Sequence, residues 1–466
     1  MHPDQLTKTL WDAAGCDPAS LGQLRYTNTA TQLPSTFAVG ALAAASIGAQ
    51  ALAAAELWRV RGGAAQTVTV DQRRALAMFR SERYLRVDGQ PPDDPWNPLA
   101  GFYQAGDGRW IQLHTNFPQH CEGVLRVLQC ANDRAAVAAA IGGWNAAELD
   151  ARLAEEGMCA ALIRSPAEWR AHPQAAALAA LPLFEIERID DAPLAALPGV
   201  TGGQAARPLG GLRVLDLSRV IAAPVAGRTL AQHGAEVLAI SAAHLPNIPV
   251  LVIDTGRGKR AAQLDLRILA DAERLRALVR EADVFLHAYR PGALAARGFS
   301  SEALQALRPG LIEVSLSAYG HAGPMAARRG FDSLVQSASG IAWESGLAAG
   351  SDQPGKLPCQ ALDHATGYLA AFGAMVALRR RAEAGGGWRV RVSLAQTGHW
   401  LQSLPRIVDG MQHPELTRDE IAPWMERVAS PFGRVSAIAP VEQMAATPPR
   451  FDLPPGPLDR DAACWV

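Results

Sequence analysis

From residue 211 to 320, short β-branched runs alternate with helical stretches, and this alternation constrains the fold more than any other feature of the chain. "LRVLDLS" (212–218) reads as a strand, "APVAGRTLAQHGA" (223–235) as a helix and "EVLAI" (236–240) as a strand. "PVLVID" (249–254) reads as a short strand, and "AAQLDLR" (261–267) as a further one. "LADAERLRALVREA" (269–282) is an amphipathic helix with Leu269, Leu275 and Leu278 among its apolar positions. "DVFLHAY" (283–289) is a strand, "PGALAARGFSSEALQAL" (291–307) is helical and "GLIEVSLSAYG" (310–320) is a strand. This order predicts an α/β domain with a parallel sheet and covering helices. Such sheets bind ligands beyond the carboxyl ends of their strands. The first turn, "DLSRVIAAP", lacks GxGxxG, and no GxxxxGK[ST] is present, so dinucleotide and P-loop readings lose their main support.

The rest of the chain divides around this domain, taken as 211–405. Residues 78–186 read as a small α+β domain. "AGFYQAGDGRWIQLHT" (100–115) predicts a β-hairpin turning at Gly106-Asp107-Gly108, followed by helices in "EGVLRVLQC", "RAAVAAAIGGW" and "AAELDARLAEEG". The Pro-, Gly- and Ala-rich 187–210 is the natural linker, and 406–466 is a C-terminal tail packing on the large domain. Residues 1–77 contain half of an internal repeat. "GAQALAAAELWRVRGGAAQTVTVDQRRA" (48–75) matches "FGAMVALRRRAEAGGGWRVRVSLAQTGH" (372–399), each a small-residue helix, an Arg-rich end, a Gly turn and an alternating strand. Val68 and Val390 lie 322 positions apart, as do Val70 and Val392.

Bulk properties exclude several functions. The 466 residues carry a formal charge of −1, so no global field recruits nucleic acid or an anionic membrane. "AVGALAAASIGAQALAAAEL" (38–57) has the length of a membrane span, but alanine dominates it and Gln50 and Glu56 interrupt it, so it reads as a buried helix. Six cysteines form no CxxC pair, which points to reduced thiols and a cytoplasmic protein without a signal peptide. His114 and His120, in "HTNFPQH", lack a third ligand at metal-site spacing, so no metal is expected.

One carboxylate stands out. In "LPCQALDHATGYLAAF" (357–372), Asp363 occupies the start of an otherwise apolar helix. Two readings stand: an N-cap or a nucleophile. By the repeat, Asp363 maps to Ala41 or Leu42, in a stretch with no carboxylate from Phe37 to Ala45. A helix start can do without Asp; chemistry cannot. Asp332, in "GFDSLVQ", carries the same pair of readings, cap or site contact. Cys359 reads as buried filler, and His364 as a poor base for its neighbour, since adjacent helix residues point apart.

Several motifs resemble the family III CoA-transferases, which include formyl-CoA transferase, carnitine CoA-transferase and α-methylacyl-CoA racemase. They are "GLRVLDLSRVIAAPVAGRTLAQHGAEVLAI", "GKRAAQLDLR" (258–267), "ADVFLHAYRPGALAARGF" (282–299), "SLSAYGHAGPMAARRGFDSLVQSASG" (315–340) and "LDHATGYLAA". "YQAGDGRWIQL", "LRVLQC" and "SPAEWRAHPQA" (165–175) resemble the family's small domain, which here precedes the large domain instead of following it. The resemblance implies a Rossmann-like large domain in a fused or permuted arrangement. Ordinary members are interlocked dimers, so a homodimer is one arrangement it implies.

The resemblance also implies acyl-CoA and a carboxylic acid as substrates, with no permanently bound cofactor. Asp363 matches the family's catalytic Asp, which passes through an aspartyl anhydride and an aspartyl-CoA thioester. A helix N-terminus would hold such a carboxylate ionised. For CoA, Arg219, Val220, Ile221 and Ala222 in the "SRVIAAP" turn, Tyr289 and Arg329 are candidates, with Lys259 and Arg260 added by location. "SAAHLP" (241–246) replaces the family's acidic-then-basic segment, and "PPDDPWNPLAGFY" stands where its glycine-rich loop belongs. The racemases carry a His where this chain has Phe331, which cannot take a proton. A racemase of the same fold and a non-catalytic CoA-thioester binding protein remain the rival readings.

Overall fold

The computed structural model describes residues 2–93, 96–199 and 207–466. Part of the sequence-predicted linker, 200–206, and residues 94–95 of the "PPDDPWNPLAGFY" segment lie outside the described residues. A seven-stranded sheet organises the large domain. Its strand order is Lys259–Gln263, Glu236–Ser241, Arg213–Leu217, Val284–His287, Ile312–Ser317, Trp388–Ser393 and Phe184–Arg188. The first six are parallel and the last is antiparallel. Chain order therefore reverses between Arg213–Leu217 and Val284–His287. That reversal opens a crevice beyond their carboxyl ends, where ligands of doubly wound sheets bind.

Alternating side chains feed two cores. Val214, Val237, Leu286 and Val314 pack on one face with helices Ala222–Gln232 and Ala361–Ala384. Leu215, Leu238 and Phe285 pack on the other with helices Leu269–Val279 and Ser301–Leu307. Two expectations need correction. "PVLVID" is the helix Pro249–Thr255, not a strand. Pro249 presets the first helical turn, and a short apolar run does not by its pattern distinguish the two states. The 291–307 stretch breaks at Gly298, whose φ of 84° ends a 3-10 turn before Ser300 caps the next helix.

The small domain has the antiparallel strands Gly101–Gln104, Trp110–Leu113 and Ala160–Leu162, three helices from Pro118 to Glu155, and a core of its own. Both halves of the repeat form as helix then strand: Val39–Val60 with Val68–Asp71, and Ala361–Ala384 with Trp388–Ser393. The two helices pack against each other and are apolar almost all round, as fits helices enclosed by protein. Both are long and apolar enough to cross a membrane, and their apolar stretches are entirely buried. Counted from its start, the first helix has Ala41 where the second has Asp363.

The tail ties the parts together. Its Met425–Ser430 and Gly433–Ile438 hairpin pairs with Arg86–Val87, and Gln443–Met444 pairs with Val68–Asp71. Glu442 accepts from Gln50 Nε2 at 2.7 Å, and Gln50 Oε1 in turn meets His233 Nε2 at 2.8 Å. Beneath the crevice, Asp254 accepts from Arg228 (2.7 Å), Arg257 (2.9 Å) and Ser81 (2.6 Å). Burial opposes its charge, but the two guanidiniums and the hydroxyl outweigh it and hold Asp254 below the usual carboxylate range.

Asp254→Ala leaves the buried Arg228 guanidinium without a carboxylate partner and Arg257 with only Glu426, so a loss of about 3–5 kcal/mol is expected in urea unfolding. The depressed pKa places this stabilisation at pH values above the unfolded pKa of about 3.9. It is lost as pH falls through the folded value.

Candidate active site

Asp363 is the third residue of its helix, not the N-cap. Gln360 holds that position without a side-chain cap. The cap comes from across the site. Asp332 opens the helix Asp332–Ala338, and its Oδ2 accepts from the Asp363 backbone N–H at 2.9 Å. Gln336 Nε2 donates to the other Asp332 oxygen, and Gln336 Oε1 accepts from the Leu357 N–H at 2.9 Å. Asp332 is thus a cap, as one reading had it, but for the neighbouring helix.

This arrangement reverses the expected electrostatics of Asp363. Burial raises Asp332 to about 6 despite the donors on it. Asp363 is raised well above the ordinary carboxylate range, first by burial and then by Asp332 and Glu82. The N–H that would favour a negative Asp363 is spent on Asp332. Of the two carboxyls, Asp332 has the donors that favour the ion, so Asp363 is the one that keeps a proton.

Asp363 lies where two cavities meet, with Val220, Ile221 and Phe331 lining both. The cavity of about 370 Å³ occupies the crevice and is cationic, with Arg219, Arg290, Arg329 and Tyr289 in its wall. No carboxylate among the described residues pairs with these three arginines. Arg329 Nη1 donates to His120 Nε2 at 3.2 Å, which places the imidazole proton on Nδ1. Burial, then Arg329, Arg219 and Arg290, push His120 down to about 4, so it is neutral at pH 7. Arg219 donates to Pro246 O at 2.9 Å, and its guanidinium stands 5.7 Å from the Phe117 ring.

The turn leading into the Ala222–Gln232 helix is strained. Val220 has φ 77°, a left-handed conformation that is an outlier for a β-branched residue and costs about 1–3 kcal/mol. Ile221 provides no side-chain cap for the first N–H groups of that helix, those of Ala222 and Ala223, which have no intrahelical acceptor. Gly367, one turn beyond Asp363, lets this helix approach: a Cβ there would stand 2.3 Å from Ala222 O.

The second cavity, of about 310 Å³, is enclosed by Trp96, Ile248, Val250 and Leu251 together with Glu82 and Arg83. Pro91, Pro92 and Asp93 from the segment replacing the glycine-rich loop also line it. His114 stacks on Phe331 with centroids 3.8 Å apart. Burial, then His120, push His114 down to about 3. His364 points elsewhere, with Nε2 3.5 Å from Glu82 Oε2 and its ring stacked on Phe79.

Arg219, Val220, Ile221, Ala222, Tyr289, Arg329 and Asp363 are therefore brought together. Lys259 and Arg260 are not. Lys259 is buried and committed to Asp216 (2.7 Å) and Pro224 O (2.8 Å). Arg260 donates to Cys464 O at 2.6 Å and faces Glu236 and Asp461. Both residues open the strand Lys259–Gln263, and their side chains meet Asp216 and the tail rather than the crevice. Sequence reasoning missed Arg290 and Glu82. Arg290 had a signal, since it follows the strand at the chain-order reversal; Glu82, on the short Ser81–Tyr84 helix, had none. No group of three His, Cys, Asp or Glu side chains among the described residues has metal-site geometry.

The chain belongs to CoA-transferase family III, whose sequence profile matches residues 17–198 and 209–423. It is 30% identical over 346 residues to the acetyl-coenzyme A transferase nodX of Hypoxylon pulicicidum, covering 70% of this chain and 58% of that protein. It is 30% identical over 317 residues to an acyl-CoA transferase of Gibberella moniliformis, covering 64% and 55%. The crystal structure of a CaiB/BaiF family protein from Brucella suis is 27% identical over 49% of this chain and 65% of that one, with a TM-score of 0.37. The chain spans little more than half the length of the first two relatives.

A raised carboxyl pKa works against folding. The unfolded chain releases this proton near pH 3.9 and the folded chain only at higher pH, so the folded state loses stability as pH rises between the two values. Asp363→Asn is expected to stabilise the folded chain at pH 7 and so to raise its melting temperature. Thermal unfolding at a series of pH values checks this: the gain over wild type should vanish near pH 4.

Proposed function

We propose that this chain is an acyl-CoA:carboxylate CoA-transferase with Asp363 as its nucleophile. The observation that carries this reading is the place of Asp363, a desolvated carboxyl between a cationic crevice and a second, partly apolar cavity. Arg219, Arg290 and Arg329 suit the phosphates of CoA, and Tyr289 offers an aromatic face. The thioester then lies across Asp363.

Once deprotonated, a desolvated carboxylate is more basic and so a better nucleophile than a solvated one. Its oxygen attacks the thioester carbonyl, the C–S bond breaks, CoA leaves as thiolate and an aspartyl anhydride remains. The thiolate attacks the aspartyl carbonyl, expels the donor acid as carboxylate and leaves an aspartyl-CoA thioester. The acceptor carboxylate attacks that thioester to form a new anhydride and releases the thiolate again. The thiolate then attacks the acceptor's acyl carbonyl, which gives the new acyl-CoA and regenerates Asp363. Each tetrahedral oxyanion needs donors, and the unsatisfied N–H groups at the start of the Ala222–Gln232 helix are the nearest candidates. Asp332 positions Asp363 through its backbone. Racemisation is disfavoured, because Phe331 cannot take a proton and His114, at about 3, is too weak a base to replace it.

Intact-mass measurement after incubation with acyl-CoA and hydroxylamine tests this. A hydroxamate on Asp363 is expected in the wild type and none in Asp363→Asn. CoA-thioester binding without any adduct would favour a binding protein instead.

Arg290→Ala is expected to raise the KM for acyl-CoA tenfold or more in steady-state kinetics. Hydrogen bonds to charged groups contribute about 1.5–3 kcal/mol.

A further inference from the structure

The two cavities that meet at Asp363 differ in charge, and this difference bears on which acyl groups the site accepts. We propose that the acyl group is neutral, apolar and short to medium in length, and that dicarboxylic acyl groups are rejected. The inference rests on the proposed function for the placement of CoA in the cationic crevice. With the phosphates there and the thioester at Asp363, the acyl chain extends into the cavity of about 310 Å³.

One wall of that cavity is apolar: Val220 and Ile221 from the strained turn, Ile248, Val250 and Leu251, and the ring of Trp96 from the small domain. The volume is at the lower end of small-molecule sites, roughly 300–1,000 Å³, which disfavours a long fatty chain. The polar lining combines four acids with the uncharged Asn116, Ser333 and Gln360 and the neutral His114. Glu82, Asp93 and Asp332 line the cavity along with Asp363 itself. Among the described residues of the lining, Arg83 is the one basic side chain with a permanent charge; it stands 3.7 Å from Glu82 and is half exposed. A carboxylate at the far end of the acyl chain would enter a region whose one guanidinium among the described residues is already shared with Glu82. Lys356 does not line the cavity, and its ammonium stands 5.4 Å from the rings of both Trp96 and Phe102.

The reacting carboxylate of the acceptor acid meets Asp363 as a neutral thioester at the cavity junction and does not reach the acids deeper in the lining. A second carboxylate at the other end of the acceptor would reach them. Donor and acceptor acids are therefore both expected to have uncharged tails.

Binding and turnover test this separately. Calorimetric titration with the unreactive thioethers S-butyl-CoA and S-(3-carboxypropyl)-CoA is expected to give at least tenfold tighter binding of the butyl compound. Butyryl-CoA should exceed succinyl-CoA in kcat/KM by a similar factor. Asp93→Lys, an exposed substitution that places a cation at the cavity mouth, should narrow the gap by strengthening the carboxypropyl compound. Equal or tighter binding of the carboxypropyl thioether by the wild type overturns the inference, as does failure of both thioethers to bind more tightly than CoA. A preserved preference for S-butyl-CoA with no adduct on Asp363 from butyryl-CoA would instead overturn the transferase reading and leave the selectivity standing.

Discussion

The hydrogen bond from the Asp363 backbone to the Asp332 carboxylate holds the site together. It joins the starts of two helices that are adjacent in space and 31 residues apart in sequence. Because Asp332 serves as the cap, the Asp363 side chain is released from capping and left between two cavities. Because both carboxyls are buried and close, they do not ionise independently, and the one with fewer donors keeps its proton. Gln336 and Leu357 brace the arrangement from behind. The placement of the Asp363 carboxyl and its raised pKa therefore have one origin.

Much of this was legible in the chain. The strand and helix alternation specified a covered parallel sheet, and the motif around residue 363 drew attention to a carboxyl that lines both cavities. Other parts were not legible, for identifiable reasons. "PVLVID" has no period that separates strand from helix, and only its proline hinted at the outcome. Lys259 and Arg260 sit on a sheet strand, but their partners come from Asp216 and from the tail, and pairing across such separations leaves no local pattern. The electrostatic expectation for Asp363 failed because the competing carboxyl lies in a different element. Glu82 and Trp96 reach the second cavity from segments far from Asp363 in sequence.

The internal repeat gains a physical reading. Two long small-residue helices lie against each other, each followed by a strand. They differ at the third position, where one has Ala41 and the other Asp363. Alanine suits close packing and needs no donors or counter-charge. The carboxyl at 363 needs Asp332, and it also brings a stability penalty that Ala41 avoids. One helix thus acts as scaffold for the other, and the polar residues Gln50 and Glu442 fasten that scaffold to the tail.

The walls of the site come from opposite ends of the polypeptide: Glu82, Trp96 and His114 from early in the chain, Asp332 and Asp363 from late in it. During synthesis the early wall must leave the ribosome and wait, without its complement, until some 280 further residues have been added. No ligand can help the first half to fold, because the surfaces that would grip it do not yet exist. The small domain's separate core, complete by Leu162, lets it wait in folded form.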